Sequence, residues 1–163
     1  MKAIYAGSFS PPTNGHMDII VRAGNIFDEL VVAVLSQAEK KYLFPTEMRE
    51  EMLKRVTAGM KNVRVVSGQG LLVDLVRREG ADVIVRGLRG PSDLTFEAQM
   101  AEANCRIGGV ETVFLHSRPE YSMISSTIVR DCAAHGAPIE SMVPGEIVKE
   151  IVDAYGVEPG RKG

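Results

Sequence analysis

The chain is poor in cysteine: its 163 residues include two, Cys105 and Cys132. Their spacing suits neither a metal cage nor a disulfide framework, so both read as ordinary thiols of a reducing compartment. Net charge is also small, −2, which argues against an unspecific nucleic-acid binder and against a protein that lies on membranes. No stretch approaches the ~18 consecutive apolar residues of a spanning helix. The opening "MKAIYAGSF" lacks the apolar core of a secretory signal, and a cytoplasmic protein is expected. There is no G-x-x-x-x-G-K-[ST] loop, and no G-x-G-x-x-G follows the first apolar run. Neither a Ser/His/Asp arrangement nor a glycosidase-like pair of carboxylates stands out. Such gaps point to chemistry done by positioning and charge rather than through a covalent intermediate. Internal repeats, low-complexity segments and linkers are missing too. One domain over 1–163 is expected, with about 157–163 as a frayed tail.

What is present is an ordinary soluble composition, 45% hydrophobic and 25% charged, on a chain long enough for a sizeable core. Five short runs are rich in Val, Ile and Phe: 2–6, 29–36, 62–67, 81–87 and 111–116. Several are almost continuously apolar, as strands buried on both faces of a parallel sheet are. Helical patterns alternate with them. In 15–27, Ile19, Ala23 and Ile26 share a face; in 46–60, Met48, Met52, Leu53, Val56 and Met60 do. Thr46 and Ser92 are candidate N-caps, and Ser125 or Ser126 is another. Residues 70–80, 92–109, 125–136 and 144–156 each close on glycine, with Pro144 suited to a first turn. The order predicts an α/β, Rossmann-like, doubly wound fold: a five-stranded parallel sheet with helices on both faces. Ligands of such sheets bind beyond the carboxyl ends of the strands.

The loops at those ends carry the informative residues. "SFSPPTNGH" (8–16) runs from the first strand into the first helix. Helix N-termini attract phosphate, and His16 could add a donor; the plain alternative is a turn with a solvated histidine. "RGLRG" sets Arg86 and Arg89 among glycines at a strand end, which suits bidentate phosphate recognition better than a pair of surface cations. Lys40 and Lys41 in "EKKYLF" read alone as solvated. "ISST" (124–127) opens a helix on three hydroxyls, more than capping requires. His116 and His135 read as structural or solvated, and Arg77 and Arg78 as a solvated helix face.

Taken together, Thr13-Asn14-Gly15-His16 resembles the (H/T)-x-G-H signature of the nucleotidyltransferase superfamily, and "ISST" resembles its second signature. "VIVRGLRG" and "SQAEKKYLF" narrow the resemblance to the bacterial phosphopantetheine adenylyltransferase family, over about Lys2 to Tyr155. The resemblance implies adenylyl transfer from ATP to 4′-phosphopantetheine, giving dephospho-coenzyme A and pyrophosphate. It also implies Mg²⁺ as cofactor, a homohexamer, and coenzyme A as a feedback ligand. By the same resemblance His16, Lys40 and Arg86 are catalytic, with Lys41 the neighbour that could replace Lys40. Ser8, Lys40, Leu72 and Arg86 bind phosphopantetheine. Ser8, Phe9, His16, Gly87, Leu88, Arg89, Glu97, Tyr121, Ser122, Met123, Ile124, Ser125, Ser126 and Thr127 bind ATP. No protein metal ligand is implied. Ser10 stands where the family usually has aspartate. The competing readings are a nicotinamide-nucleotide adenylyltransferase and a non-catalytic adenine-nucleotide module on the same fold.

Overall fold

The computed structural model describes residues 1–36 and 41–156. Lys40 and the expected tail 157–163 lie outside the described residues. The strands are β1 (Lys2–Gly7), β2 (Glu29–Ser36), β3 (Val63–Gln69), β4 (Val83–Leu88) and β5 (Glu111–His116). The helices are α1 (Asn14–Ile26), α2 (Thr46–Thr57), α3 (Leu72–Glu79), α4 (Pro91–Gly108), α5 (Ser126–Ala134) and α6 (Gly145–Tyr155). All strand pairs are parallel, in the order β3-β2-β1-β4-β5, so the sheet carries the expected architecture.

Alternation along β1 splits the core. Ala3 and Tyr5 face Ile19, Ile20 and Ala23 of α1, with Val32 and Val85 from the flanking strands. Ile4 and Ala6 face the other way, towards Val73, Leu75 and Val76 of α3. Both faces of the central strands are therefore dry, which is why their sequences read as unbroken apolar runs. A third cluster joins α2, α5 and α6 through Met52, Val129, Ile147 and Ile151.

Some helix starts differ from expectation. The cap of α2 is Pro45, not Thr46, whose hydroxyl instead meets Ser36 Oγ at 2.8 Å. That of α4 is Gly90, not Ser92, because Pro91 takes the first helical position. Ser125 does cap α5, accepting from the Ile128 N–H. A short 3₁₀ turn at Pro119–Tyr121 was not foreseen. α2 ends at Thr57, so Met60 lies beyond it.

The chain leaves β3 and re-enters the sheet on the far side of β1. The order thus reverses between β1 and β4, and their carboxyl ends diverge there. This is where an open α/β sheet binds its ligand.

Candidate active site

Two clefts open at that point. The first, about 500 Å³, is lined by the end of β1, the starts of α1 and α5, and the loop from β4 into α4. The second, about 390 Å³, lies on the opposite side, with Leu35, Tyr42, Leu71, Leu72 and Met100 on its walls. Ala6, Gly7, Ser8, Arg86, Phe96 and Glu97 line both, so the two clefts share a wall.

His16 sits in the first turn of α1. Thr13 caps that helix by accepting from the His16 N–H, and the His16 ring answers. Its Nδ1 accepts from the Thr13 N–H at 3.0 Å and lies 3.1 Å from Thr13 Oγ1. This is a capping box with histidine in place of the usual Glu or Gln. Because Nδ1 accepts, the neutral ring carries its proton on Nε2. Burial, then the charges of Arg89 and Arg86, push its pKa down to about 4 from an ordinary 6.5. The ring is a neutral donor at neutral pH, and it lines the first cleft.

The turn before it is strained and tied down. Phe9 has φ +46, a conformation that costs an L-residue roughly 1–2 kcal/mol. Its ring is buried edge-on between Tyr5 (centroids 5.5 Å apart) and His16 (4.9 Å), and such burial contributes about 1.5–3 kcal/mol. Two arginines that sequence reasoning missed hold the carbonyls of this turn. Arg49 of α2 donates to Ser8 O at 2.6 Å, and Arg130 of α5 to Ser10 O at 2.5 Å. Ser126 Oγ donates to Pro11 O at 2.8 Å.

The cations of "RGLRG" are already paired. Arg86 makes a fork to Glu97, Nε to Oε2 at 2.7 Å and Nη2 to Oε1 at 2.6 Å, while Nη1 donates to Ala6 O. Three of its five N–H groups are thereby engaged, leaving two for a ligand. Arg89 forks onto Asp93, whose carboxyl its hydrogen bonds hold below the ordinary range. Between the two arginines, Gly87 lies in tight quarters. A Cβ there would lie 3.0 Å from Ile19 Cγ1, where α1 crosses the strand.

Of the residues named by resemblance, Ser8, His16, Arg86, Gly87, Arg89, Glu97, Ile124, Ser125 and Ser126 line the first cleft. Ser8, Leu72 and Arg86 line the second. Phe9 lies buried behind the wall, and Leu88 spends its carbonyl on the Ser117 N–H. Tyr121, Ser122, Met123 and Thr127 stand outside the lining: Ser122 Oγ bonds Pro119 O, Thr127 Oγ1 accepts from Arg130, and Met123 is exposed. The "ISST" hydroxyls thus have partners within the fold, and what α5 offers the cleft is its N-terminal N–H groups. Asp18 was also missed. This buried carboxylate takes Arg22 at 2.9 Å and Arg118 at 3.3 Å, and so fixes the loop after β5. It is a single acid in a helix that reads as amphipathic, and gives no sequence signal. His116 and His135 are exposed, as read, and lie outside both linings. Arg77 and Arg78 are likewise exposed, although each also donates to a backbone carbonyl, of Ile107 and Ser67.

Two helix N-termini, a neutral histidine donor and forked arginines at the switch point define a nucleotide-handling α/β fold. Residues 4–132 match the cytidylyltransferase-like family. A solved structure from Vibrio parahaemolyticus, described as a nicotinate-nucleotide adenylyltransferase, shares the fold. Its TM-score is 0.68 at 17% identity, with 97% of this chain and 96% of that one covered. Nearer in sequence is a Deinococcus radiodurans phosphopantetheine adenylyltransferase, 47% identical over 88% of this chain and 87% of its own. The Streptomyces coelicolor phosphopantetheine adenylyltransferase is 43% identical over 93% and 96%. The chain belongs to the phosphopantetheine adenylyltransferase family. Among the described residues no helix is long and apolar enough to cross a membrane.

Proposed function

We propose that the two clefts hold the two substrates of one adenylyl transfer, ATP in the larger and 4′-phosphopantetheine in the smaller. The wall they share, Ser8 with Arg86 and Glu97, supports this reading, because substrates on its two sides would meet there through their phosphates. A phosphate oxygen of phosphopantetheine attacks the α-phosphorus in line. The bond from that phosphorus to the bridging oxygen breaks, and pyrophosphate leaves with the electron pair. The attacking phosphate is ionised near neutral pH, so no general base is needed. The protein's work is to hold two polyanions together and to stabilise charge that grows on the α-phosphate.

His16 serves that charge as a neutral Nε2–H donor. Arg86 and Ser8 orient the attacking phosphate, with Lys40 as a further cation. The apolar side of the smaller cleft, Leu72 among it, takes the pantetheine arm. The nucleotide lies along Gly87, Arg89 and Glu97, beside Ile124, Ser125 and Ser126, while Phe9, Leu88, Tyr121, Ser122, Met123 and Thr127 frame the cleft from outside its lining. One nucleotidyltransferase domain over 1–163 carries both sites.

Among the described residues, no three His, Cys, Asp or Glu side chains converge on a metal site. The larger cleft fits Mg²⁺ that arrives on ATP and would be held by phosphates and water, because the Ser125 and Ser126 hydroxyls are already engaged within the fold. So bound, it neutralises phosphate charge. Coenzyme A contains both a pantetheine arm and an adenine nucleotide, and fits the same two clefts as a feedback ligand. Self-association, a homohexamer by family resemblance, is supported by α4. That helix buries only Glu97 and exposes Leu94 and Ile107 outside both cleft linings. A cytoplasmic location suits these substrates.

The test is pyrophosphate release from ATP and Mg²⁺ with each acceptor. Phosphopantetheine supports release, and nicotinamide mononucleotide does not. Equal release with both overturns the assignment, and none with either favours a binding module.

A further inference from the structure

Among the described residues Arg49 is the largest fully buried side chain, 1% exposed. Among the described residues its hydrogen-bond acceptors are neutral. Nη1 donates to the Ser8 carbonyl at 2.6 Å, and Nη2 to Ser36 Oγ at 2.8 Å and Thr46 Oγ1 at 3.1 Å. The guanidinium lies over the Tyr42 ring, 4.2 Å from its centroid, and Nε is buried without a hydrogen-bond partner. No described carboxylate lies within ion-pair distance of it.

A buried cation so placed is a poor choice for stability. Replacing buried charges by apolar groups of similar volume is often neutral or stabilising. Ser36 and Thr46 also bond each other at 2.8 Å, so neither hydroxyl depends on the arginine. What depends on it is the Ser8 carbonyl. Ser8 lies on the wall common to both clefts, one residue before the strained Phe9. The same guanidinium also touches both ends of the β2–α2 connection, through Ser36 on one side and Tyr42 and Thr46 on the other.

We propose that Arg49 is a positioning residue of the transfer reaction, acting through Ser8: its fork clamps the β1–α1 turn against the β2–α2 connection, so that the junction of the two clefts is set for in-line attack. The inference rests on the adenylyl-transfer reading above. It predicts a loss in turnover rather than in nucleotide affinity, because a misplaced turn spoils alignment more than it spoils either cleft.

The experiment compares Arg49→Met and Arg49→Lys with the wild type by thermal melting, steady-state kinetics and ATP calorimetry. Met keeps the volume and removes the charge; Lys keeps a charge and one donor but loses the fork. The expected result is a melting temperature held or raised in Arg49→Met, unchanged ATP affinity, and kcat lower by ~10–100-fold in both, the scale of a small misalignment. Near-normal kcat per folded molecule in both variants overturns the proposal, as does failure of both to fold, which makes Arg49 structural. A loss confined to ATP affinity overturns it as well. Wild-type turnover with phosphopantetheine tests the function itself, whereas the variant-to-wild-type ratio tests Arg49.

Discussion

Replacing His16 separates two jobs that one ring performs. Its Nδ1 closes the capping box of α1, and its Nε2–H is the donor left for the larger cleft. His16→Ala removes both. Losing the cap bond costs about 1 kcal/mol of stability, the net worth of one hydrogen bond. Losing the donor costs more, because it acts on charge present only in the transition state. Donors of this kind are worth roughly 2.7–4 kcal/mol, or 10²–10³ in kcat. His16→Gln keeps the box, since glutamine is a standard partner at that position. Its amide is then engaged at the cap and does not reach where the imidazole edge reached. Glutamine should therefore restore stability without restoring kcat. Steady-state kinetics, thermal melts and ATP calorimetry on the two variants read the three quantities apart. If His16→Ala kept near-normal kcat and only weakened ATP binding, the ring would be a ground-state contact and the charge argument would fail. Exposed His135→Ala is the control and should change nothing measurable.

The His16 ring should titrate near pH 4 by NMR, well below its ordinary 6.5. The unfolded chain, with its ordinary 6.5, takes up that proton first, so stability is complete above about pH 6.5 and is lost as pH falls towards 4. Melts of His16→Gln should lack that loss, and a wild-type midpoint near 6.5 would refute the burial argument. Arg86→Ala should reduce kcat/KM by about 1.5–3 kcal/mol equivalent, and should also lower the melting temperature, because it strands Glu97, which is 9% exposed. Arg77→Ala should do neither, and similar kcat/KM in the two variants would misplace the site. Ser10→Asp should stay active, because Arg130 already donates to the Ser10 carbonyl at 2.5 Å and stands ready to pair with a new carboxylate; a folded but dead variant would show a differently ordered turn.

The fold was largely legible because its central strands are dry on both sides. "ELVVAVLS" is β2 to the residue, since every interior position of that strand meets a helix or a neighbouring strand. The edges were harder. The fourth strand starts at Val83 rather than at Ala81, although the Asp82 N–H already donates to the Lys2 carbonyl of β1. Thr46 and Ser92 look like caps by residue type, yet proline decides both starts, as cap Pro45 and as first residue Pro91. The hydroxyl freed at Thr46 then serves Arg49. Arg49 itself was invisible to periodicity, which assigns arginine to the wet side of a helix and has no rule for one that anchors a distant carbonyl.

The candidate site was legible as residue types but not as a charge balance. "RGLRG" reads as two cations awaiting phosphate, yet Arg86 and Arg89 each hold a carboxylate from α4, Glu97 and Asp93. The pairing partners lie 11 and four residues downstream, at separations that a motif does not encode. Physically the pairing is sensible. Two bare guanidiniums at one half-buried junction would repel each other and would trap the first anion that arrived. Paired ones are held in one orientation with N–H groups to spare, so less ordering remains when the substrates bind. The free positive potential then comes from the helix N-termini of α1 and α5, which carry no counter-charge and need no desolvation of an ion. In that setting a neutral histidine is the better donor. It adds direction at the α-phosphate without adding a third positive charge beside Arg86 and the exposed Arg89; burial, helped by their fields, already drives its proton off.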